Sequence, residues 1–176
     1  ESYSRPRANG IIALGLREGD RLIRVTLTDG NSQMLVASYN GKVVRFPEDS
    51  VRPMGRTATG VRAIKLDEDG QDRVIGMICV EEDSKESVLV ISEKGYGKRT
   101  DLNDENGEAI YRITNRGAKG VKTMNLTDKT GNLIGLEAVT DEQDLMLITK
   151  SGTAIRMDMS SISVLGRATQ GVKLIE

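Results

Sequence analysis

An all-β fold of small antiparallel blades is what three features of this sequence predict: a threefold internal repeat, short apolar runs, and 19 glycines against 3 prolines. With four Tyr, one Phe and no Trp, the interior must be filled by Val, Ile, Leu and Met. So much Val and Ile suits short strands, and the glycine excess suits many turns rather than long helices.

Taken in chain order, Ser4-Arg5-Pro6-Arg7-Ala8-Asn9-Gly10-Ile11-Ile12 reads as the end of a preceding copy, with its arginine shifted by one position. Each full copy then opens with an apolar strand: Arg21–Val25, Arg73–Met77 and Asn132–Leu136. A four-residue apolar run follows in Met34–Ala37, Val88–Ile91 and Leu145–Ile148, and its lack of alternation predicts a strand buried on both faces. Each run meets a polar turn ending in Gly41, Gly95 or Gly152, and Asn40-Gly41 is a strong hairpin signal. The returning strands are Lys42–Phe46, Tyr96–Thr100 and Thr153–Met157.

After a variable loop each copy closes on a second glycine and a short strand. The closing segments are Gly55-Arg56-Thr57-Ala58-Thr59-Gly60-Val61-Arg62, Asn115-Arg116-Gly117-Ala118-Lys119-Gly120-Val121-Lys122 and Gly166-Arg167-Ala168-Thr169-Gln170-Gly171-Val172-Lys173. The middle copy is lengthened by a polar insertion near Asp101–Glu108. A four-stranded unit of roughly 50–60 residues matches one blade of a propeller-like array, and such a blade must stack on neighbours to bury both faces. Residues 1–176 therefore read as one repeat domain: the tail of a preceding blade in 1–18, then blades in 19–66, 67–126 and 127–176. Three blades and a tail do not close a ring, so an open half-ring or part of a larger disc is expected. The chain opens at Glu1 rather than Met and ends inside an apolar run, and it reads as part of a longer chain.

Composition excludes several chemistries. There is no histidine, which removes the usual metal ligand, the Ser-His-Asp and Cys-His constellations and the commonest general base. The single cysteine, Cys79, precludes an internal disulfide; it reads as a small core hydrophobe and fits a reducing compartment. No apolar stretch approaches the roughly 20 residues that span a bilayer, and no signal peptide is visible. Tyr3, Tyr39, Tyr96 and Tyr111 have no organised neighbourhood suggesting a nucleophile. The Glu81-Glu82-Asp83 cluster reads as a solvated loop, and Gly95-Tyr96-Gly97-Lys98-Arg99 as a hairpin turn without Walker spacing.

A net charge of −1 conceals strong segregation. Residues 50–66 carry Arg52, Arg56, Arg62 and Lys65 with no acid, and residues 109–126 carry Arg112, Arg116, Lys119 and Lys122 with no acid. Between them, residues 67–86 hold eight acids against Arg73 and Lys85. The cations also fall in register. Arg45, Arg99 and Arg156 stand four residues after the turn glycines; Arg56, Arg116 and Arg167 stand four before the closing glycines; Arg62, Lys122 and Lys173 stand two after them. In a stacked array, position-locked charge becomes a stripe. Such a stripe either tracks nucleic-acid phosphates, for which the arginine fork is suited, or consists of solvated charges paired with acids of neighbouring blades. Single-strand binders stack bases on aromatic platforms, and no aromatic column recurs here. Without a groove-reading signature, the nucleic-acid reading narrows to backbone contact with duplex DNA along a curved surface.

Three stretches carry a resemblance to a known family. Asn40-Gly41-Lys42-Val43-Val44-Arg45-Phe46 with Val51-Arg52-Pro53-Met54-Gly55-Arg56 and Gly60-Val61-Arg62 is similar to the C-terminal domain of bacterial DNA gyrase A subunits. So are Gly95-Tyr96-Gly97-Lys98-Arg99-Thr100 and Val164-Leu165-Gly166-Arg167-Ala168-Thr169-Gln170-Gly171-Val172, and the resemblance covers essentially the whole chain. It implies a β-pinwheel, a propeller-like disc with strands exchanged between blades, of which this chain holds the last three blades and the tail of the one before. It also implies a non-catalytic domain that binds, bends and wraps duplex DNA for negative supercoiling by a type IIA topoisomerase. The cleavage tyrosine, ATP and Mg would belong to other parts of that enzyme, so no cofactor or metal is expected here. The implied partners are double-stranded DNA, the rest of the gyrase A subunit, plus the gyrase B subunit in a heterotetramer, in the bacterial cytoplasm and nucleoid, with no membrane. The DNA-contacting set expected on this basis is the three columns, Arg45, Arg99, Arg156, Arg56, Arg116, Arg167, Arg62, Lys122 and Lys173, together with Lys98 and Lys119.

The family's seven-residue box, Gln-Arg-Arg-Gly-Gly-Lys-Gly, is absent, and Asn115–Gly120 is only a degenerate counterpart. Binding and bending without a completed wrap is the expectation that follows. The similar, smaller disc carried by topoisomerase IV, and a propeller devoted to protein contacts, are the two other readings. The last requires rim cations paired with acids.

Overall fold

The computed structural model describes residues 2–176 and contains strands, two single-turn 3-10 segments (Glu48–Ser50 and Met159–Ser161) and loops, with no α-helix among the described residues. Strands β1 (Gln33–Ser38) and β2 (Lys42–Pro47) form a hairpin across Gly41. The second repeat supplies β3 (Val74–Val80), the hairpin β4 (Ser87–Ser92) and β5 (Tyr96–Asp101), and the two-residue β6 (Val121–Lys122). The third supplies β7 (Leu133–Val139), the hairpin β8 (Asp144–Ile148) and β9 (Ala154–Asp158), and β10 (Val172–Lys173). All three predicted hairpins form, with Leu35 opposite Arg45, Leu89 opposite Arg99 and Met146 opposite Arg156.

The sheets do not follow the repeats. One sheet has the order β3-β1-β2-β6 and the next β10-β5-β4-β7, all antiparallel, while β8-β9 stand as a pair. Each four-stranded blade thus takes its central hairpin from one repeat and both outer strands from the next. The divisions 19–66, 67–126 and 127–176 are sequence periods that cut through the sheets. The exchange also corrects two strand expectations. Residues 21–25 and 60–62 are not strands. Their counterparts β3, β7, β6 and β10 are ordered by the hairpin of the repeat before them, and no hairpin precedes residues 21–25 among those described. Leu27 is 98% exposed and Val25 74% as a result.

Burial follows the same logic. β1 is buried along its whole length and β4 nearly so, because both faces of their sheets are covered. The equally apolar β8 alternates between exposed and half-buried, since outer strands do not flank it. The largest core cluster joins the first two sheets, with Leu35, Val43 and Ile78 packed with Val88, Val90 and Leu136 around the fully buried Tyr111. The Tyr111 hydroxyl lies 2.6 Å from Thr123 Oγ1, so its polar end is satisfied inside the core. The closing glycines make the exchange sterically feasible. Gly120, at φ +74°, lies so close to β2 that a Cβ would fall 2.6 Å from the Val43 carbonyl carbon and closer still to its oxygen.

Candidate nucleic-acid interface

The three cation columns occupy three different environments. Arg45 and Arg99, in the middle of β2 and β5, are only 2% and 5% exposed. Arg45 donates from Nη1 to the Tyr111 carbonyl at 3.2 Å, and the Thr114 amide donates back to the Arg45 carbonyl at 2.8 Å. Arg99 donates from Nε to the Ile162 carbonyl at 3.0 Å, pairs with Asp141, and receives the Leu165 amide at 2.8 Å on its carbonyl. Each arginine therefore fastens the loop of the next repeat across its own blade. Burial holds the Arg45 guanidinium below its ordinary pKa, with Glu82 opposing that shift. Arg156 belongs to the same column but is exposed and paired with Asp144, whose hydrogen bond raises its pKa. Lys98 is fully buried, with its ammonium facing the carbonyls of Gly166, Arg167 and Thr169.

These positions divide the expected DNA-contacting set by environment. Arg45, Lys98 and Arg99 are buried and engaged with protein acceptors, and Arg156 is exposed and paired with Asp144. Four-residue spacing from a turn glycine fixes a register position on a strand. Whether that position faces solvent depends on which loop crosses it, and that loop comes from another repeat.

The second column behaves as a ladder. Arg56 Nη1 donates to the Ile12 carbonyl at 2.9 Å, Arg116 Nη1 to the Arg62 carbonyl at 2.6 Å, and Arg167 Nη1 to the Lys122 carbonyl at 2.8 Å. In each case the acceptor lies two residues after the closing glycine of the preceding repeat. Every rung therefore seats a half-buried arginine against the backbone of the preceding closing strand, and in two of the three the acceptor belongs to a third-column cation, Arg62 or Lys122. The side chains of Arg62, Lys122 and Lys173 are exposed, as is Lys119. The ladder sets Arg116 beside Arg62, and Arg167 beside Lys122. The acceptor carbonyls were invisible in the sequence, because a backbone oxygen has no residue signature.

Among the described residues, Arg56, Arg62, Arg116, Lys119, Lys122 and Arg167 make no ion pair. The salt bridges are Arg24–Glu137, Lys42–Asp67, Arg99–Asp141, Arg156–Asp144 and Lys173–Glu176. Three of the four acids of residues 67–72 are engaged elsewhere. Asp67 and Asp69 accept from Asn40, Asp67 also pairs with Lys42, and Asp72 caps the Asn40 and Asp67 amides. These contacts lower the pKa of Asp67 and Asp69 and hold the acids at the turn end of the first hairpin. The described residues contain no cluster of three metal-ligating side chains, and no helix long and apolar enough to cross a membrane.

Comparison with known proteins bears on this arrangement. The chain matches the family described as "DNA gyrase C-terminal domain, beta-propeller" over residues 1–29, 33–81, 86–140 and 143–176. It is 47% identical over 174 residues to the DNA gyrase A subunits of Staphylococcus aureus strains MRSA252 and NCTC 8325, with 99% of this chain covered. It spans 19% of the length of those relatives. Among solved structures, the C-terminal domain of DNA topoisomerase IV superposes with a TM-score of 0.88 at 21% identity, covering 99% of this chain and 52% of that one. A DNA gyrase A C-terminal domain superposes with a TM-score of 0.80 at 24% identity, covering 95% and 54%. At such identities the structural likenesses speak to the fold.

Proposed function

The chain belongs to the DNA gyrase C-terminal domain family, and from that premise we propose that its rim of unpaired cations binds and bends duplex DNA. The observation that carries this reading is the ladder. Arg62 and Arg116, then Lys122 and Arg167, stand side by side without carboxylate partners in a protein whose net charge is −1. Cations kept free of acids at a position that recurs from repeat to repeat suit a polyanion, whose condensed counterions they would displace. The missing aromatic platform favours the backbone of a duplex over unstacked bases.

In this reading Arg62, Lys119 and Lys122, which have no carboxylate partner, contact phosphate directly, as does Lys173 on giving up its exposed pairing with Glu176. Arg56, Arg116 and Arg167 brace the turns and add field strength, while Arg45, Lys98 and Arg99 hold the blades together. The domain itself carries out no chemistry. It would serve the negative supercoiling of a type IIA topoisomerase by bending a DNA segment, with ATP hydrolysis and strand cleavage in the remainder of that enzyme. Its partners would be duplex DNA, the rest of a gyrase A subunit, plus the gyrase B subunit, in the bacterial cytoplasm and nucleoid. That the rim cations other than Lys173 have no carboxylate partner among the described residues weighs against a protein-interaction propeller.

The test is binding to a linear mixed-sequence duplex, followed by fluorescence anisotropy across a range of salt. Four direct phosphate contacts predict a slope of log K against log salt near −3.6, at about −0.9 per contact, and indifference to sequence. No binding at about 50 mM salt, or a flat salt dependence, would overturn the reading.

A further inference from the structure

Lys98 is the unusual cation of the fold. Its position, three residues after the turn glycine, is occupied by Val44 in the first repeat and Ile155 in the third. Val44 is buried as a plain core residue. Lys98 instead sends a fully buried ammonium into the closing turn of the next repeat. It lies 2.7 Å from the Gly166 carbonyl, 2.7 Å from the Arg167 carbonyl, 3.1 Å from the Thr169 carbonyl and 3.0 Å from Thr169 Oγ1. Thr169 Oγ1 also donates to the Gly166 carbonyl at 2.8 Å, which closes the turn on itself. An ammonium offers three protons and no acceptor, so converging carbonyls are what a buried lysine requires. The turn carries Arg167, whose guanidinium reaches the Lys122 carbonyl at 2.8 Å. Arg167 Nε is buried without a partner, so the conformation of that guanidinium is not set by its own bonds alone.

We propose that Lys98 is a positioning residue: its ammonium fixes the Gly166–Thr169 turn and, through Arg167, the neighbouring rim cation Lys122. The step from turn to DNA rests on the reading of the rim as a DNA surface. The chain of contacts runs from the middle of β5 to the rim through backbone carbonyls. The corresponding Asn115–Lys119 turn lies over Val44, which has no side-chain donor to offer it. The two turns are therefore braced by different means: the Arg167 turn by a buried charge, the Arg116 turn by its own arginine, which donates to the Ser50 carbonyl at 3.3 Å as well as to Arg62.

Lys98→Val is the informative variant, because the first repeat already accommodates valine at this position. Amide hydrogen exchange is measured on the unmodified chain and on the variant, and DNA affinity on these two, on Arg167→Gln and on the double variant. The expected result is faster exchange confined to residues 166–171, with the strand amides unchanged. For DNA, loss of one phosphate contact predicts roughly eightfold weaker binding at about 0.1 M salt and a salt slope shallower by about 0.9. The losses from Lys98→Val and Arg167→Gln should also fail to add, since both act on one turn. Additive losses, unchanged exchange at 166–171, or faster exchange spread over both sheets would overturn the proposal. Exchange confined to the turn, with no DNA binding even by the unmodified chain, would sink the DNA reading while leaving Lys98 as the residue that sets the turn.

Discussion

Alanine placed at Gly60 and at Gly120, one at a time, measures what strand exchange contributes. Both glycines close a repeat and both have positive φ, +84° and +74°. An L-residue in that region costs roughly 1–2 kcal/mol. At Gly60 that is the whole effect, because an added Cβ meets nothing within 4 Å. At Gly120 the Cβ would lie 2.6 Å from the Val43 carbonyl carbon and 3.0 Å from the Val44 nitrogen. These are backbone atoms of β2, so relief requires lifting β6 away from its pairing of Lys42 with Lys122 and Val43 with Val121. The Thr123 amide would also be drawn from the Gly41 carbonyl it now meets at 2.9 Å. Overpacking of this kind costs about 1–3 kcal/mol further. Gly120→Ala should therefore lose about 2–5 kcal/mol, against about 1–2 for Gly60→Ala. Urea unfolding followed by far-UV circular dichroism gives both, with the m-value checking that the unfolded states are alike. Equal losses at the two positions would refute the argument that β6 is a tightly seated strand rather than an adjacent loop.

Charge reversal separates the buried and exposed columns. Arg45→Glu would bury an unpaired carboxylate against the Tyr111 carbonyl and should cost more than about 3 kcal/mol, whereas Arg62→Glu should change stability by less than about 0.5 kcal/mol. Thermal unfolding of the two variants checks this. Tyr111→Phe leaves Thr123 Oγ1 without its partner in the core and should cost about 1–2 kcal/mol in the same measurement. Burial, with a smaller push from Arg167, lowers Lys98 to about 8 from 10.5, so between those values the unfolded chain holds a proton that the folded chain has released. Stability from this group accordingly rises as pH climbs from 8 towards 10.5 and is lost as pH falls from 10.5 to 8, below which it no longer changes. Relative to Lys98→Met, the unmodified chain should gain up to about 2 kcal/mol between about pH 7 and about pH 9.5; parallel pH profiles would argue against a depressed lysine.

The periodicity of the chain determined the β class and the three hairpins. Apolar runs, Asn40-Gly41 and the glycines at 95 and 152 act through local backbone preference, which needs no knowledge of the partner strand. The segregation of acids from cations was equally legible, because it is a property of order along the chain. The outer strands were a different matter. Residues 21–25 and 73–77 read alike, yet only the second is in a strand, since only it finds a hairpin ahead of it. The same non-local cause governed the cations. Arg45, Arg99 and Arg156 share a register, but a loop from the following repeat covers the first two, and no such loop covers the third among the described residues. The ladder from Arg56, Arg116 and Arg167 ends on backbone carbonyls of a different repeat, and the Lys98 ammonium finds its acceptors in the same way. Side-chain type and spacing are written in the sequence; whether a cation meets water or a carbonyl is decided by strand exchange, which brings together residues far apart along the chain.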